Sequence, residues 1–360
     1  MAAIEREGAV LRQTAVHGQA PMSVDLGQYL DVVPEIVIER IRGARHVLAV
    51  GHENPDADTL GATLAIVRMV EMLGGSADAV TSDPPPPLYD FLVDVGRVRT
   101  DPDPNADYDL AVISDCGSLS RVGAVGVRHA ALFDRLPRVV IDHHTSNNAA
   151  GEADWIDPAA AATCEMVTLL AIRLGIPLSA GDGALATALM GGIVMDTATF
   201  AHPNATPRTL ATAAALLEAG APMSDISRRI YRSKPDSQLR LFGRVLDRLE
   251  SSPDGRIVWS TMHDADLAET GTIPAHSEGI IDLLAQAEAA EVVILFKEDM
   301  RGTRLSVRTR PGGVDSTVLT GRFGGGGHAR AAGATLDLSV AEAQAPVLAE
   351  ARRLVDQVRR

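Results

Sequence analysis

Two short stretches of this chain carry the residue types that hold metal ions. The first, Gly51 to Asp58 (G-H-E-N-P-D-A-D), offers the imidazole of His52 and the carboxylates of Asp56 and Asp58. Hard divalent cations take carboxylate oxygens, and manganese or zinc accept imidazole nitrogen as well. A plainer reading of the same residues is a polar turn ahead of a helix, with Asp58 or Thr59 as N-cap. The second stretch is Asp142-His143-His144. Adjacent side chains point to different sides, so one histidine can ligate a metal while the other touches a substrate. Asp142 can then orient a ring from behind. The plainer reading is a polar loop with two ordinary histidines. Asp115 and Asp196 are single carboxylates, each closing an apolar segment. Either alone reads as a cap or turn residue. Brought together, these acids would repel and raise one another's pKa values, and bound cations would remove that penalty.

The surrounding pattern supplies elements that could bring them together. Arg45–Gly51 (R-H-V-L-A-V-G) reads as a strand, and Asp109–Ser114 and Arg138–Ile141 as two more. The last two run directly into Asp115 and Asp142. Helical spacing is expected over 28–43, 59–73, 159–174 and 181–195, the last running into Asp196. Alternating strands and helices predict a parallel α/β sheet. In such sheets the ligand crevice lies beyond the carboxyl ends of the strands, which would gather His52, Asp56, Asp58, Asp115, Asp142, His143 and His144 at one edge. Residues 206–250 are helix-rich and broken at Pro222 and Pro235. A second α/β pattern follows, with strands near 256–262, 291–297, 303–309 and 333–338 and a helix over 340–358.

Between the last two of those strands lies Phe323–Gly333 (F-G-G-G-G-H-A-R-A-A-G). Consecutive glycines let backbone N–H groups approach an anion. His328 and Arg330 follow Gly325, Gly326 and Gly327 at once, and Arg308 lies on a predicted neighbouring strand. The tract suits a phosphate or a base; a flexible linker is the plainer alternative, although it would not need the basic side chains. From Met300 to Arg330 there are six arginines against one acid, Asp315, in a chain whose net charge is −14. A protein that grips long nucleic acid carries a basic face, so the overall charge favours a small ligand over a long polymer. Residues 1–22 read as a loose N-terminal extension without the apolar centre of a secretory signal, and no apolar run is long enough for a membrane span. The two cysteines, Cys116 and Cys164, form no disulfide framework and fit the reducing cytoplasm. Cys116 reads as a small core residue rather than a nucleophile.

Taken in order, G-H-E-N-P-D-A-D, the aspartate of D-C-G-S-L-S-R-V-G (115–123), D-H-H-T-S-N (142–147), the aspartate of G-G-I-V-M-D-T-A-T-F (191–200) and F-G-G-G-G-H-A-R-A-A-G resemble the motifs of the DHH phosphoesterase family. The resemblance runs from about residue 28 to about 358, and its closest branch is the stand-alone nanoRNase and pAp-phosphatase type. One departure is Ala198, where that branch often has glycine. The resemblance implies a larger parallel-sheet α/β catalytic domain over 23–225, a helical linker over 226–250 and a smaller α/β DHH-associated domain over 251–360. It implies two divalent metal ions, manganese first and magnesium or cobalt as alternatives. One ion would be held by His52, Asp56 and Asp115, the other by Asp58, Asp115, His143 and Asp196, with Asp115 bridging. His144 would contact the substrate phosphate, Asp142 would support its neighbours, and Arg121 would assist as either a phosphate contact or a structural arginine. Arg308, Gly325–Gly327, His328 and Arg330 would grip the substrate. The implied activity is hydrolysis of very short oligonucleotides to mononucleotides, with pAp or linear dinucleotides from cyclic-dinucleotide turnover as further substrates and a homodimer as a compatible assembly. The competing readings are a RecJ-like single-strand exonuclease, which calls for an added nucleic-acid-binding fold, and a nucleotide-binding protein with a silent site, which calls for missing ligands.

Overall fold

The computed structural model describes residues 24–145, 147, 153–300 and 302–358. The extension expected over 1–22 lies outside the described residues. The chain divides into two compact units, Met1–Ser233 and Lys234–Arg360.

The first unit is built on a parallel sheet of β1 (His46–Val50), β2 (Ser76–Val80), β3 (Leu110–Ser114), β4 (Arg138–Asp142) and β5 (Ala153–Ile156), in the order β2-β1-β3-β4-β5. Both faces are covered, which is why the central strands are unbroken apolar runs. Val47, Ala49, Val112 and Ile141 face one core, which also takes in α1 (Glu35–Gly43) and α2 (Ala57–Met72). Leu48, Val50, Ile113 and Val140 face a second, smaller core with residues of α3 (Ala124–Arg128) and α4 (Ala130–Arg135). Further helices complete the larger core: α5 (Thr163–Arg173), α6 (Ala184–Asp196), α7 (Pro207–Glu218) and α8 (Met223–Tyr231). The strand order reverses direction at β1, whose neighbours are β2 on one side and β3 on the other. That is the switch point at which open α/β sheets leave a crevice beyond the strand ends.

The second unit holds a mixed sheet in the order β10-β11-β9-β8-β7-β6. Its strands are β6 (Glu250–Ser251), β7 (Ile257–Met262), β8 (Val292–Asp299), β9 (Gly302–Thr309), β10 (Gly326–His328) and β11 (Ala331–Leu336), with only β7 and β8 parallel. One face packs on α12 (Ser316–Gly321) and α13 (Val340–Gln357) through Leu319, Val347 and Leu354. Leu241, Phe242 and Val245 of α9 (Asp236–Asp247) and Ile280 and Leu284 of α11 (Ile280–Leu284) cover part of the other face, beside α10 (Asp264–Thr270).

Several elements differ from the sequence expectation. The helix expected over 28–43 is a 3-10 turn, Gly27–Val32, followed by α1. Pro34 stands between them; its ring disfavours helix in the preceding residue and it has no N–H to donate. Strands β2, β5 and β10 were not expected. Their sequences (S-A-D-A-V, A-D-W-I and G-G-H) are polar or short, because β2, β5 and β10 lie at sheet edges. Residues 206–250 form α7, α8 and α9; Ile226 and Ile230 of α8 enter the first unit's core, whereas Leu241 of α9 enters the second unit's. No helix among the described residues is long and apolar enough to cross a membrane.

Candidate metal centre

His52, Asp56 and Asp58 follow β1, Asp115 follows β3, His143 and His144 follow β4, and Asp196 closes α6. The structure brings all seven together at the switch point. Ligand atoms of His52, Asp56 and Asp115 lie within 4.8 Å of one another, as do those of Asp58, His143 and Asp196, and those of Asp115, His143 and His144. Asp115 and His143 therefore each belong to two of the three groups. His52 Nε2 is 3.5 Å from Asp115 Oδ2, His143 Nε2 is 3.7 Å from Asp115 Oδ1, and His143 Nε2 is 3.1 Å from Asp196 Oδ2.

Local chemistry fixes each side chain. Asp56, not Asp58 or Thr59, is the N-cap of α2: its Oδ1 accepts from the N–H groups of Asp58 and Thr59 at 2.9 and 3.0 Å. Capping occupies one oxygen and leaves the other for a cation. Asp58 is fully buried and sits at the start of α5, where Oδ2 accepts from Thr163 N–H at 2.7 Å and Oδ1 from Cys164 N–H at 2.8 Å. The positive end of that helix favours a carboxylate there. Gly192 of α6 makes room for it, since a Cβ at this position would lie 2.2 Å from Asp58 Oδ1 and 2.5 Å from Cys164 Sγ. Asp115 has a left-handed backbone (φ 58°), one that aspartate tolerates better than most residues. Its carboxylate accepts from the hydroxyls of Thr59 at 2.6 Å and Thr163 at 3.3 Å. The sequence offers Thr59 only as a helix cap, and Thr163 lies 48 positions from Asp115 with no local pattern to mark it.

The histidines are oriented from behind. His52 Nδ1 donates to the Glu53 carbonyl at 2.6 Å, because a carbonyl can only accept. In the neutral ring Nε2 is then a bare lone pair aimed at the Asp115 carboxylate. His144 Nδ1 bonds Asp142 Oδ1 at 2.7 Å, which leaves its Nε2 free, and the side-chain amide of Asn147 bonds the other Asp142 oxygen. The His143 and His144 ring centres are 4.6 Å apart.

The electrostatics are those of anions crowded without a counter-ion. Burial, then the charges of Asp58, Asp56 and Asp196, push the Asp115 carboxyl well above its ordinary range. Burial and neighbouring carboxylates push Asp58 up too, and raise Asp196 to about 8. Burial works against the charged ring of His143, but its bond to Asp196 and the charge of Asp58 prevail and raise it to about 9. Burial lowers His52, with Arg121 among the smaller contributors. Asp142 stays low despite its burial because His144 and Asn147 donate to it. A lone pair facing a carboxylate, beside carboxylates that resist ionisation, is a donor set that fits cations.

In the second unit the glycine tract borders a concavity of about 730 Å³ lined by Asp299, Arg304, Ser306, Arg308, Gly324–Gly327 and Ala331–Thr335. Arg308 faces this surface and pairs with Asp282 at 2.8 Å. Arg330 does not line it; its guanidinium bonds the carbonyls of Arg310 and Val314. Gly325 and Gly327 have a packing reason, since a Cβ at either would press to 2.1 or 2.6 Å on carbonyls of β11, whereas Gly326 faces open space. The His328 side chain lies outside the described residues. Arg304, four positions before Arg308 on β9, lies on the same sheet face.

Residues 46–193 match the DHH family, N-terminal domain, and residues 255–358 the DHHA1 domain. The chain is 31% identical over 301 residues to the bifunctional oligoribonuclease and PAP phosphatase NrnA of Thermus thermophilus, covering 83% of this chain and 86% of that one. It is 24% identical over 288 residues to the protein of the same name from Bacillus subtilis, covering 79% and 87%. The crystal structure of an exopolyphosphatase-related protein from Bacteroides fragilis superposes with a TM-score of 0.83 at 19% identity, covering 91% of this chain and 99% of that one.

Proposed function

Because the chain belongs to the DHH family and is a phosphoesterase, we propose that it hydrolyses very short oligonucleotides from one end to mononucleotides. On this reading it also dephosphorylates pAp or cleaves linear dinucleotides, and it works in the cytoplasm with two divalent ions, manganese by preference. The observation that carries this reading is the meeting of His52, Asp56, Asp58, Asp115, His143 and Asp196, from distant parts of the chain, with Asp115 common to two ligand groups.

His52, Asp56 and Asp115 would hold one ion, and Asp58, Asp115, His143 and Asp196 the other. When bound, such a pair acidifies water and neutralises charge gathering on a phosphate. The protein's own groups supply the rest. Thr59 and Thr163 each donate to one oxygen of Asp115 and fix its rotation, which a carboxylate shared by two ions would need. Asp142 accepts a hydrogen bond from His144 Nδ1–H and so leaves Nε2 to donate to a phosphate oxygen when the ring is charged. Arg121 adds positive charge beside His52. Arg308 and Gly326 on the second unit offer a cation and an open backbone to the substrate's phosphate or base. The overall charge of −14 opposes capture of a long polyanion.

The test is a hydrolysis panel with Mn²⁺ containing pAp, a dinucleotide, a 24-mer, pyrophosphate and cyclic dinucleotides. Turnover is expected on the dinucleotide, with pAp as a second substrate. Cleavage of the 24-mer as fast as the dinucleotide would overturn the preference for short substrates, and full activity after exhaustive chelation would overturn the metal centre.

A further inference from the structure

The helix that carries Asp196 ends in a turn held from several sides. Ala198, Thr199 and Phe200 all have left-handed backbones, with φ of 47°, 58° and 64°. None is glycine, and three such residues in a row are strained unless their surroundings over-determine them. The terminal carbonyls of α6 show what does so. Ile193 O accepts from the hydroxyl of Thr197 at 2.6 Å, and Val194 O from Thr199 N–H at 2.9 Å. Met195 O accepts from Ala198 N–H at 3.2 Å and from the Tyr231 hydroxyl at 2.5 Å. Asp196 O accepts from His202 Nδ1 at 3.1 Å and Asn204 Nδ2 at 3.2 Å. From α8, Ser227 also bonds the hydroxyl of Thr199 at 2.8 Å. The carbonyls of a helix C-terminus have no partners within the helix; here they are taken up by one turn and by α8, directly around the residue whose carboxylate meets His143.

We propose that Thr199, Ser227 and Tyr231 are positioning residues that clamp the left-handed turn and thereby set the aim of Asp196. The inference rests on the reading of Asp196 as a ligand of one ion. Its consequence is selective. Loosening the clamp weakens the ion held by Asp58, His143 and Asp196 and leaves the ion held by His52 and Asp56 in place, because those two residues are fixed by α2 and the Glu53 carbonyl instead.

The experiment is a calorimetric Mn²⁺ titration of the full chain and its Tyr231→Phe, Thr199→Val, Ser227→Ala and Thr199→Ser variants, each paired with the Tm of the metal-free protein. The wild type should bind two ions. Tyr231→Phe, Thr199→Val and Ser227→Ala should weaken one of them about tenfold, at the low end of what outer partners of metal ligands contribute, with the other unchanged. Thr199→Ser keeps the hydroxyl and should bind as the wild type does. Unaltered binding of both ions in all variants overturns the clamp, as does equal weakening of both ions in step with a lowered metal-free Tm, which is the signature of a structural role. A wild type that binds no ion sinks the metal reading itself, and the clamp with it.

Discussion

Stripping the metal from this protein should make its stability depend on pH in a particular direction. In the metal-free state the carboxyl of Asp196 titrates at about 8 against an ordinary 3.8, and His143 at about 9 against 6.5. Both folded values are raised, so the stability each group contributes is complete below its unfolded value and is lost as pH climbs through its folded value. Between pH 6.5 and 8 the folded state holds protons that the unfolded chain has released. One group titrating this way changes stability by about 1.4 kcal/mol per pH unit. Asp196 and His143 share a hydrogen bond and titrate as a pair, so counting one proton gives about 2 kcal/mol lost over that interval.

Bound cations reverse the slope. Ligands must lose their protons to bind, so protons compete with the metal at low pH and yield to it at high pH. With Mn²⁺ at a hundred times its dissociation constant, each ion adds about 2.7 kcal/mol. For a unit of this size 1 kcal/mol moves Tm by about 2–4 °C, so each ion is worth roughly 5–10 °C at pH 8. Differential scanning calorimetry at constant ionic strength, with Mn²⁺ or with chelator, at pH 6.5 and at pH 8, measures the difference. The gap between metal-loaded and metal-free transitions should widen toward pH 8, mostly because the metal-free transition falls. A gap that is the same at both values, or a metal-free protein that is more stable at pH 8, would refute the claim that these carboxylates are crowded and under-neutralised.

Four substitutions test the two candidate sites. Asp115→Asn removes the carboxylate common to two ligand groups; Mn²⁺-dependent hydrolysis should fall at least about 10³-fold, some 4 kcal/mol, while the metal-free Tm does not drop, and steady-state rates within threefold of wild type would exclude a bridging role. Gly192→Ala drives a Cβ to 2.2 Å from Asp58 Oδ1; the expected loss is about 1–3 kcal/mol of stability from overpacking, with a lower bound-metal count by elemental analysis, and a protein of normal stability and metal content would show that this contact is loose. In the second unit, Arg308→Ala should raise KM for a dinucleotide more than for bis-p-nitrophenyl phosphate. Arg330→Ala should instead lower Tm, since its guanidinium is spent on the carbonyls of Arg310 and Val314; a selective KM effect of Arg330→Ala would contradict that assignment.

The sequence made the candidate metal centre legible because parallel strands buried on both faces are apolar runs, and the first polar residues after such a run lie at the sheet's open edge. Asp115 after L-A-V-I-S and Asp142 after R-V-V-I could be placed on that ground alone. Edge strands carry no such signal, and β2 and β5 escaped for that reason. The supports of the ligands were equally illegible. Asp58 is held by N–H groups 105 and 106 positions away, and whether Asp56, Asp58 or Thr59 caps α2 is a matter of backbone angle rather than residue type, since all three can cap. Arg308 beside the glycine tract and Arg330 within it are the same residue type, yet Arg308 faces the concavity and Arg330 turns to backbone carbonyls.

Ala198 shows how the two kinds of information combine. As a sequence feature it was only a departure from a glycine often found at that place. Its φ of 47° gives the glycine its reason, because a left-handed backbone admits glycine freely and other residues at a cost of about 1–2 kcal/mol. The chain keeps alanine there, and the turn is held instead by Tyr231, Ser227, His202 and Asn204. Backbone freedom at one residue has been exchanged for side-chain hydrogen bonds from four others, all of them outside the motif that carries Asp196.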